Sequence, residues 1–257
     1  MTYTAYQLDG SPVGNRRQQL AKLCRDIYLP YGLADFGGEV IEHSSVRCEI
    51  VREDRSSSTG VVFRGTVPPG DDFLASLRNW LYNLESHKFD WRPVIDWVRV
   101  HHGFTVAWSK IKEDVKRAIR GDCIFTGHSL GGALATIAAM DFATLSSIRI
   151  KAVVTFGSPR VGNGKFARSY TRLFGDVTER YVNYCDPVPL FPGALLGFRH
   201  VCPPRWWNGK EWKRHTGIWP WIKAAVCHRR FLADHHIDSY INLKDEAGLM
   251  QMRKAMK

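Results

Sequence analysis

Residues 123–135 read CIFTGHSLGGALA, and this stretch decides the fold. The apolar run CIFTG predicts a short buried strand, and the almost wholly apolar residues 130–142 predict a helix that is buried on all sides. Between them, residues 127–131 match G-x-S-x-G, the pattern of a tight turn from strand to helix. The stretch therefore predicts a strand–turn–helix unit that carries Ser129 at the edge of a sheet.

The flanking sequence predicts more strands that alternate with helices. Helical spacing of apolar residues recurs over 16–28 and 103–120, and a last helix is expected near 236–246. Alternation of buried strands with helices indicates an α/β domain with a mostly parallel central sheet and helices on both faces. The predicted strands are 46–50, 61–63, 123–127, 150–156 and 180–184.

Composition limits the classes of protein that the chain can belong to. Its 257 residues are 44% hydrophobic and 24% charged, as in ordinary globular proteins, which excludes a disordered or fibrous chain. The length favours a single domain over residues 1–257. No apolar run is long enough to predict a transmembrane helix. Residues 1–20 lack the apolar core of a signal peptide, so we expect a cytoplasmic protein or one exported by a non-standard route.

The six cysteines and the ten histidines show no spacing typical of a metal site. None of the cysteines forms a C-x-x-C pair, so we expect mostly reduced, partly buried thiols. No zinc pattern is present, and the chemistry expected below requires neither a metal nor a cofactor.

Ser129 requires a base and an acid if it is to act as a nucleophile. In chains with this turn, the acid and then the histidine follow the serine in the sequence. Asp186 lies just after the buried strand RYVNY, where its carboxylate would reach the sheet edge at which Ser129 emerges. The pattern does not identify the base. Adjacent histidines on a helix point about 100° apart, so only one of such a pair can face Ser129, and the pattern does not choose between them. The downstream histidines are His200, His215, His228, His235 and His236.

Eight stretches, taken together, resemble the class 3 lipases, a family that includes secreted fungal triacylglycerol lipases. They occur in the family's order and span most of residues 46–241. The resemblance implies an α/β-hydrolase fold and the hydrolysis of carboxylic esters. The stretches are VVFRGT (61–66), RNWLYNL (78–84), VHHGFTVAW (100–108), FTGHSLGGALA (125–135), VVTFGSPRVGN (153–163), YVNYCDPVPLFP (181–192), FRHV (198–201) and DHHIDSYI (234–241).

The same resemblance implies a role for individual residues. Ser129 matches the nucleophile and Asp186 the acid, and the family's D-H-x-x-x-x-Y pattern favours His235 as the base over His236. The backbone N–H groups of Thr66 and Leu130 match the oxyanion hole. Asn83 matches a residue that orients the Thr66 hydroxyl, with a surface amide as the alternative.

Residues 67–82 lie where the family carries a mobile lid. An amphipathic helix there would cover the acyl pocket in water and move away at a lipid surface. The alternative is a helix packed permanently on the core.

Residues 203–230 depart from the family pattern. Five of the nine tryptophans lie within residues 206–221, interleaved with basic residues, and residues 199–230 contain eight Lys or Arg against one Glu. We interpret this Trp-rich basic insertion as irregular. Two hypotheses remain open: contact of residues 203–223 with an anionic membrane or lipid interface, and burial of the tryptophans over the sheet. Nothing else in the chain suggests binding to nucleic acid.

The sequence as a whole predicts a serine hydrolase, a triacylglycerol lipase or esterase that releases fatty acids through an acyl-enzyme. A phospholipase on anionic membranes is the alternative within enzymes. From another class, the chain could be a catalytically dead protein that binds lipid surfaces.

Overall fold

The computed structural model describes residues 13–29, 32–33, 38–52, 58–65, 88–90, 97–143, 148–214 and 234–242. Within these ranges twelve strands and five helices are defined. The strands are β1 Glu39–His43, β2 Val46–Arg52, β3 Ser58–Phe63, β4 Lys88–Asp90, β5 Arg99–His101, β6 Asp122–His128, β7 Ile150–Phe156, β8 Gly162–Asn163, β9 Thr178–Asn183, β10 Phe198–Arg199, β11 Pro204–Trp207 and β12 Trp212–Arg214. The helices are α1 Val13–Asp26, α2 His102–Ala118, α3 Leu130–Phe142, α4 Gly164–Phe174 and α5 Ile237–Asn242.

Eight strands form the central sheet in the order β1-β2-β3-β6-β7-β9-β11-β12. The five strands from β3 to β11 run parallel, and antiparallel strands complete the sheet at both edges. Parallel neighbours need crossover connections, and α2, α3 and α4 lie in those connections. The prediction of a mostly parallel sheet is therefore confirmed.

Alternate residues of each central strand belong to separate hydrophobic clusters on the two faces of the sheet. In β6, Cys123 and Phe125 pack with α2, α3 and α4, whereas Ile124 packs with α1 and α5 on the opposite face. Both faces are covered, which explains why these strands are almost continuously apolar.

A second, smaller sheet lies beside the central one, with the order β10-β8-β5-β4 and antiparallel pairing throughout. Val100 of β5 pairs with Gly162 of β8, and Phe198 of β10 pairs with Asn163. This sheet joins the segment before α2 to the segments that follow β7 and β9. The sequence did not predict it, because each strand is only two or three residues long.

Several predicted elements agree closely with the structure. The helix at 130–142 and the strand at 150–156 have the predicted bounds, and the last helix, predicted near 236–246, is observed at Ile237–Asn242. The possible lid at 67–82 lies outside the described residues. A single domain over 1–257 stays a prediction.

The interpretation of residues 203–230 as irregular is wrong for 204–214. Residues 204–207 form β11, which extends the sheet in parallel beside β9, and β12 returns antiparallel to it. Trp206 and Trp207 are only 6% and 8% exposed, and the Trp206 indole N–H donates to the Tyr184 carbonyl at 3.1 Å. Burial of the rings removes two of the predicted lipid anchors. Residues 215–230 lie outside the described part.

Cys24, Cys48, Cys123 and Cys202 are free and buried, whereas Cys185 is in a disulfide. Burial raises the pKa of the Cys24 and Cys123 thiols to about 12, so both remain protonated and unreactive. In the portion of the chain described, no helix combines the length and the hydropathy needed to cross a membrane.

Candidate active site

The nucleophile elbow lies between β6 and α3. Ser129 has φ 57° and ψ −126°, a backbone conformation that is costly for a non-glycine residue, and its side chain is buried at the carboxyl end of β6. A methyl group on Gly131 would overlap the Phe63 carbonyl, and one on Gly127 would overlap the Gly131 main chain. The two glycines therefore permit the close approach of helix and strands that forces Ser129 into the turn.

His235 lies between Ser129 and Asp186. Its Nε2 is 3.0 Å from Ser129 Oγ, and its Nδ1 is 3.0 Å from each carboxylate oxygen of Asp186. All three side chains are less than 5% exposed. A proton on Nδ1, donated to the carboxylate, leaves the Nε2 lone pair free to accept the Ser129 proton.

The elements that carry these side chains converge at one edge of the sheet. Asp186 follows β9 in a turn whose Asp186 N–H donates to the Asn183 carbonyl at 2.8 Å. His235 lies two residues before α5, which packs on α1 and β9. The site forms where the carboxyl ends of parallel strands meet, as expected for an open α/β sheet.

Of the other downstream histidines, the two that the structure describes do not reach Ser129. His236 is exposed, and its Nδ1 lies 3.4 Å from Asp238 Oδ2. His200 points elsewhere, with its Nε2 donating to the Pro189 carbonyl at 2.8 Å. His215 and His228 lie outside the described residues. The geometry thus favours His235, although its catalytic role stays a prediction.

Asp186 is held by contacts that the sequence analysis missed. Its Oδ1 accepts the Val188 N–H at 2.9 Å, and the Tyr240 hydroxyl donates to Oδ2. Burial, and then the charge of Asp186, raises the pKa of Tyr240 well above its usual value, so this hydroxyl stays protonated and can donate. Tyr240 closes the D-H-x-x-x-x-Y pattern, which was the available signal.

Gly157, between β7 and β8, provides the space that Asp186 and His235 occupy. Its φ is +56°, and a methyl group there would lie 2.5 Å from Asp186 Oδ2 and 3.0 Å from His235 Nδ1. Glycine is therefore required for both its backbone conformation and the space it leaves.

A second chain of hydrogen bonds runs beside the triad. The Gly65 N–H donates to the Tyr28 hydroxyl, which lies 3.4 Å from His128 Nδ1, and His128 Nε2 donates to the His235 carbonyl at 2.7 Å. The His128 and His235 rings are 4.6 Å apart. Burial, and then the nearby His235, lowers the pKa of His128 well below its usual value, which keeps His128 neutral. These contacts connect the elbow to His235.

Leu130, predicted for the oxyanion hole, is the first residue of α3 and directly follows Ser129. Thr66 and Asn83 lie outside the described residues. Gly65, the residue before Thr66, is described: a methyl group on it would lie 3.3 Å from Ser129 Cβ. The end of β3 therefore lies against Ser129.

No cluster of His, Cys, Asp or Glu that could hold a metal ion occurs among the residues whose placement is described. The site described above consists of side-chain and backbone groups alone.

The parallel sheet, the strained serine elbow and the buried Ser–His–Asp array together define a chain of the α/β-hydrolase class. The family model for Lipase (class 3) matches residues 60–196. The chain belongs to the class 3 lipase family, as its motifs predicted.

Known proteins with similar sequences include fungal lipases. Over 144 residues the chain is 34% identical to secreted mono- and diacylglycerol lipase 1 of Fusarium solani, covering 52% of this chain and 41% of that protein. It is 31% identical to a lipase of Rhizopus niveus over 188 residues, covering 69% and 42% of the two chains. The chain thus spans less than half the length of these curated relatives.

Solved structures of lipases share the fold. A triacylglycerol lipase whose catalytic centre is a serine protease triad superposes with a TM-score of 0.66 at 23% identity, covering 86% of this chain and 92% of that one. Lipase II from Rhizopus niveus gives the same TM-score at 23% identity, covering 90% and 96%. The α/β-hydrolase fold is thereby confirmed.

Proposed function

We propose that this chain is a serine carboxylic-ester hydrolase of the lipase type, which cleaves acylglycerols through an acyl-enzyme. The observation that carries this function is the hydrogen-bond line from Ser129 Oγ through His235 to Asp186. A serine hydroxyl is a weak nucleophile, and a base within hydrogen-bond distance activates it. A protein that only binds lipid has no need of this buried array, which argues against a catalytically dead core.

The geometry supports the following reaction. His235 Nε2 takes the Ser129 proton as Oγ bonds to the ester carbonyl carbon, while Asp186 stabilises the imidazolium through Nδ1. The imidazolium then gives its proton to the departing alcohol oxygen, which leaves an acyl group on Ser129. Water attacks the acyl carbon with His235 again as base, and the fatty acid leaves as Ser129 regains its proton.

The oxyanion hole belongs to the same proposal. The Leu130 N–H, at the first position of α3, has no acceptor within its own helix and is free to donate to a negative oxygen. The Thr66 N–H would supply the second donor, and Asn83 would orient the Thr66 hydroxyl. Loss of one such donor typically costs about 3 kcal/mol of transition-state stabilisation.

Acylglycerols are proposed as substrates because the similar proteins carry names that specify them. The Fusarium solani relative is named for mono- and diacylglycerols, and the superposed structure is that of a triacylglycerol lipase. A lid over residues 67–82, which would open the acyl pocket at a lipid surface, is part of this proposal.

Hydrolysis of p-nitrophenyl esters from acetyl to palmitoyl, below and above their solubility limits, tests the function. We expect hydrolysis that rises when long-chain substrate forms an interface, and Ser129→Ala should lower kcat by about five to six orders of magnitude. Activity confined to dissolved short esters would identify the protein as an esterase and not a lipase. Equal rates for the native chain and Ser129→Ala would refute the function.

Two neighbouring histidines provide a matched pair of variants for the base. His235→Ala should cost nearly as much as Ser129→Ala, whereas the exposed His236→Ala should retain most of the activity. An inactive His236→Ala with an active His235→Ala would reverse the assignment.

A phospholipase on anionic membranes is a second candidate, favoured by the formal charge of +11. Salt-sensitive hydrolysis of phosphatidylglycerol with little activity on triglyceride emulsions would support it. Of the predicted anionic contact through residues 203–223, the exposed Lys210, Lys213 and Arg214 remain available to lipid, whereas Trp206 and Trp207 are core residues.

A further inference from the structure

Helix α4 carries a stripe of exposed basic residues. Phe166, Ala167 and Tyr170 bury one side of the helix. Basic residues at positions 165, 168 and 172 are exposed, and their spacing of three and four residues places them on one side. The first turn contains no acidic residue. The outer side of α4 is therefore uniformly cationic along the stripe.

The stripe continues onto the small sheet. A methyl group on Gly164 would lie 3.3 Å from Arg168 Nη1 and 3.8 Å from Arg199 Cγ, so the two arginines flank the start of α4. The Arg199 guanidinium donates to the Ala194 carbonyl at 2.7 Å. The Lys165 ammonium lies 5.9 Å from the centre of the Trp97 ring.

Large apolar side chains project beside these cations. Trp97 is 69% exposed, Leu195 at the tip of a short turn is fully exposed, and Leu196 is 43% exposed. Exposed aromatic and aliphatic side chains next to Lys and Arg suit the boundary between lipid headgroups and acyl chains. We name this surface the basic face: Trp97, Lys165, Arg168, Arg172, Leu195, Leu196 and Arg199.

The cations of the basic face lack the partners that an ordinary solvated surface provides. None of its four basic side chains is ion-paired to a carboxylate within the ranges that the structure describes. On α2, by contrast, Lys116 pairs with Glu113 and Arg117 pairs with Asp114. Among the described residues, no paired carboxylate offsets the positive potential of the basic face, which favours an anionic partner.

Two chain segments connect the basic face to the triad. One runs from Gly157, beside Asp186 and His235, through β8 into α4. Within this segment, the Arg160 N–H donates to the Phe191 carbonyl at 2.7 Å. The other runs from Asp186 to β10. Both leave the carboxyl ends of parallel strands, the same ends that carry Ser129.

We propose that the basic face docks the protein on an anionic lipid surface, with the cations on headgroup phosphates and with Trp97, Leu195 and Leu196 in the interface. Docking requires no bond cleavage, so it holds or fails independently of the ester hydrolysis proposed above. Each basic residue near an anionic surface contributes an attraction equivalent to about fivefold in binding.

Sedimentation with vesicles tests this docking in the Ser129→Ala background, where the lipid is not consumed. Vesicles of pure phosphatidylcholine are compared with vesicles that contain about one-third phosphatidylglycerol. We expect tighter binding to the anionic vesicles, which weakens as salt is added. Lys165→Gln with Arg168→Gln should lower binding to them by about 25-fold. Trp97→Ala should also weaken binding.

The matched control is Lys210→Gln with Lys213→Gln, which removes two exposed cations from the Trp-rich insertion. It should change binding by less than about twofold, because Lys213 already pairs with Glu211. A larger loss in this control than in the α4 variant would overturn the assignment and move the contact to residues 203–223. Equal binding to both vesicle types would overturn anionic docking altogether. Equal thermal midpoints of all variants establish that each is folded.

Discussion

The elbow segment, residues 122–132, and the tryptophan strands, residues 204–214, both lie in or next to the central sheet. They differ in whether the contacts that hold them in place come from residues near in the chain or distant in the chain. In the elbow, the constraint comes from near neighbours, because a methyl group on Gly127 would overlap the Gly131 main chain and would separate strand from helix. In the tryptophan strands it comes from distant partners: Trp212 packs against Tyr181 and Tyr240, with the Arg17 guanidinium 5.3 Å from its ring centre. A local motif can be recognised in a sequence, whereas a role set by distant contacts cannot.

The largest effect expected in this comparison is that of Gly131→Ala. The added methyl group would overlap the Phe63 carbonyl, which belongs to a central strand that cannot move aside. We expect the free energy of unfolding in urea to fall by more than about 4 kcal/mol, or the chain not to fold.

Gly193→Ala is the control for that substitution, since a methyl group there would meet its nearest neighbour, Leu196 Cγ, only at 3.9 Å. It should change the free energy of unfolding by less than about 1 kcal/mol. Similar losses in the two variants would show that the elbow is no more constrained than an ordinary loop.

Trp212→Ala is expected to have the next largest effect. Truncation removes ring contacts to Tyr181, Trp207 and Tyr240 and should lower the free energy of unfolding by about 3 kcal/mol. Because Tyr240 also donates to Asp186, kcat should fall as well. Urea unfolding and ester hydrolysis measure the two effects.

Trp97→Ala serves as the comparison, because its ring is mostly exposed. It should cost less than about 1 kcal/mol of stability and leave hydrolysis of dissolved esters unchanged. If Trp212→Ala is equally harmless, the tryptophan strands contribute little to the core.

Acid should weaken both regions, since each is adjacent to a neutral histidine, buried in the case of His128 and half-buried in the case of His200. Burial is the main cause that lowers the pKa of His128 in the elbow and of His200 near β11 well below 6.5. Above pH 6.5 both histidines are neutral in the folded and unfolded states; below it, only the unfolded chain gains their protons. Stability is therefore lost as pH falls, with a slope of up to about 1.4 kcal/mol per pH unit for each histidine.

Urea unfolding between pH 7 and pH 5 measures this slope. His128→Gln and His200→Gln should each lower this slope by the contribution of about one proton. A slope that neither variant changes would mean that other groups titrate in this range.

Tyr28→Phe is expected to have the smallest effect. It removes the hydroxyl that accepts from the Gly65 N–H and lies 3.4 Å from His128 Nδ1. We expect kcat for dissolved esters to fall about tenfold, the value of one hydrogen bond that helps to position the base.

Tyr184→Phe is the matched control in the other region, because Tyr184 contacts Trp206 by ring stacking, which phenylalanine retains. Its kcat should equal that of the native chain. A loss as large as that of Tyr28→Phe would assign the effect to general softening of the fold.

The sequence was informative where apolar side chains form a continuous or regular pattern and where close packing requires glycine. The bounds of α3 and β7 could be predicted because both are continuously apolar, and Ser129 and Asp186 because of their positions after buried strands. The family pattern favoured His235 over His236, and the structure adds that His235 is buried beside Ser129 whereas His236 is exposed. The tryptophan strands were missed because they combine buried rings with exposed cations such as Lys213 and show no clear period of two.

The contact between α1 and α5, on one face of the sheet, has a consequence for the order of folding. Arg17 of α1 donates to the carbonyl of Tyr240 in α5, across 223 positions of chain. Contacts between such distant residues form late, because a very long loop must close first. His235, which lies two residues before α5, is therefore placed after the elbow, whose contacts are local. Under the proposed function, a chain that emerges from the ribosome forms the Ser129 turn first and becomes active only when α5 docks, so esterase activity would report the completion of folding.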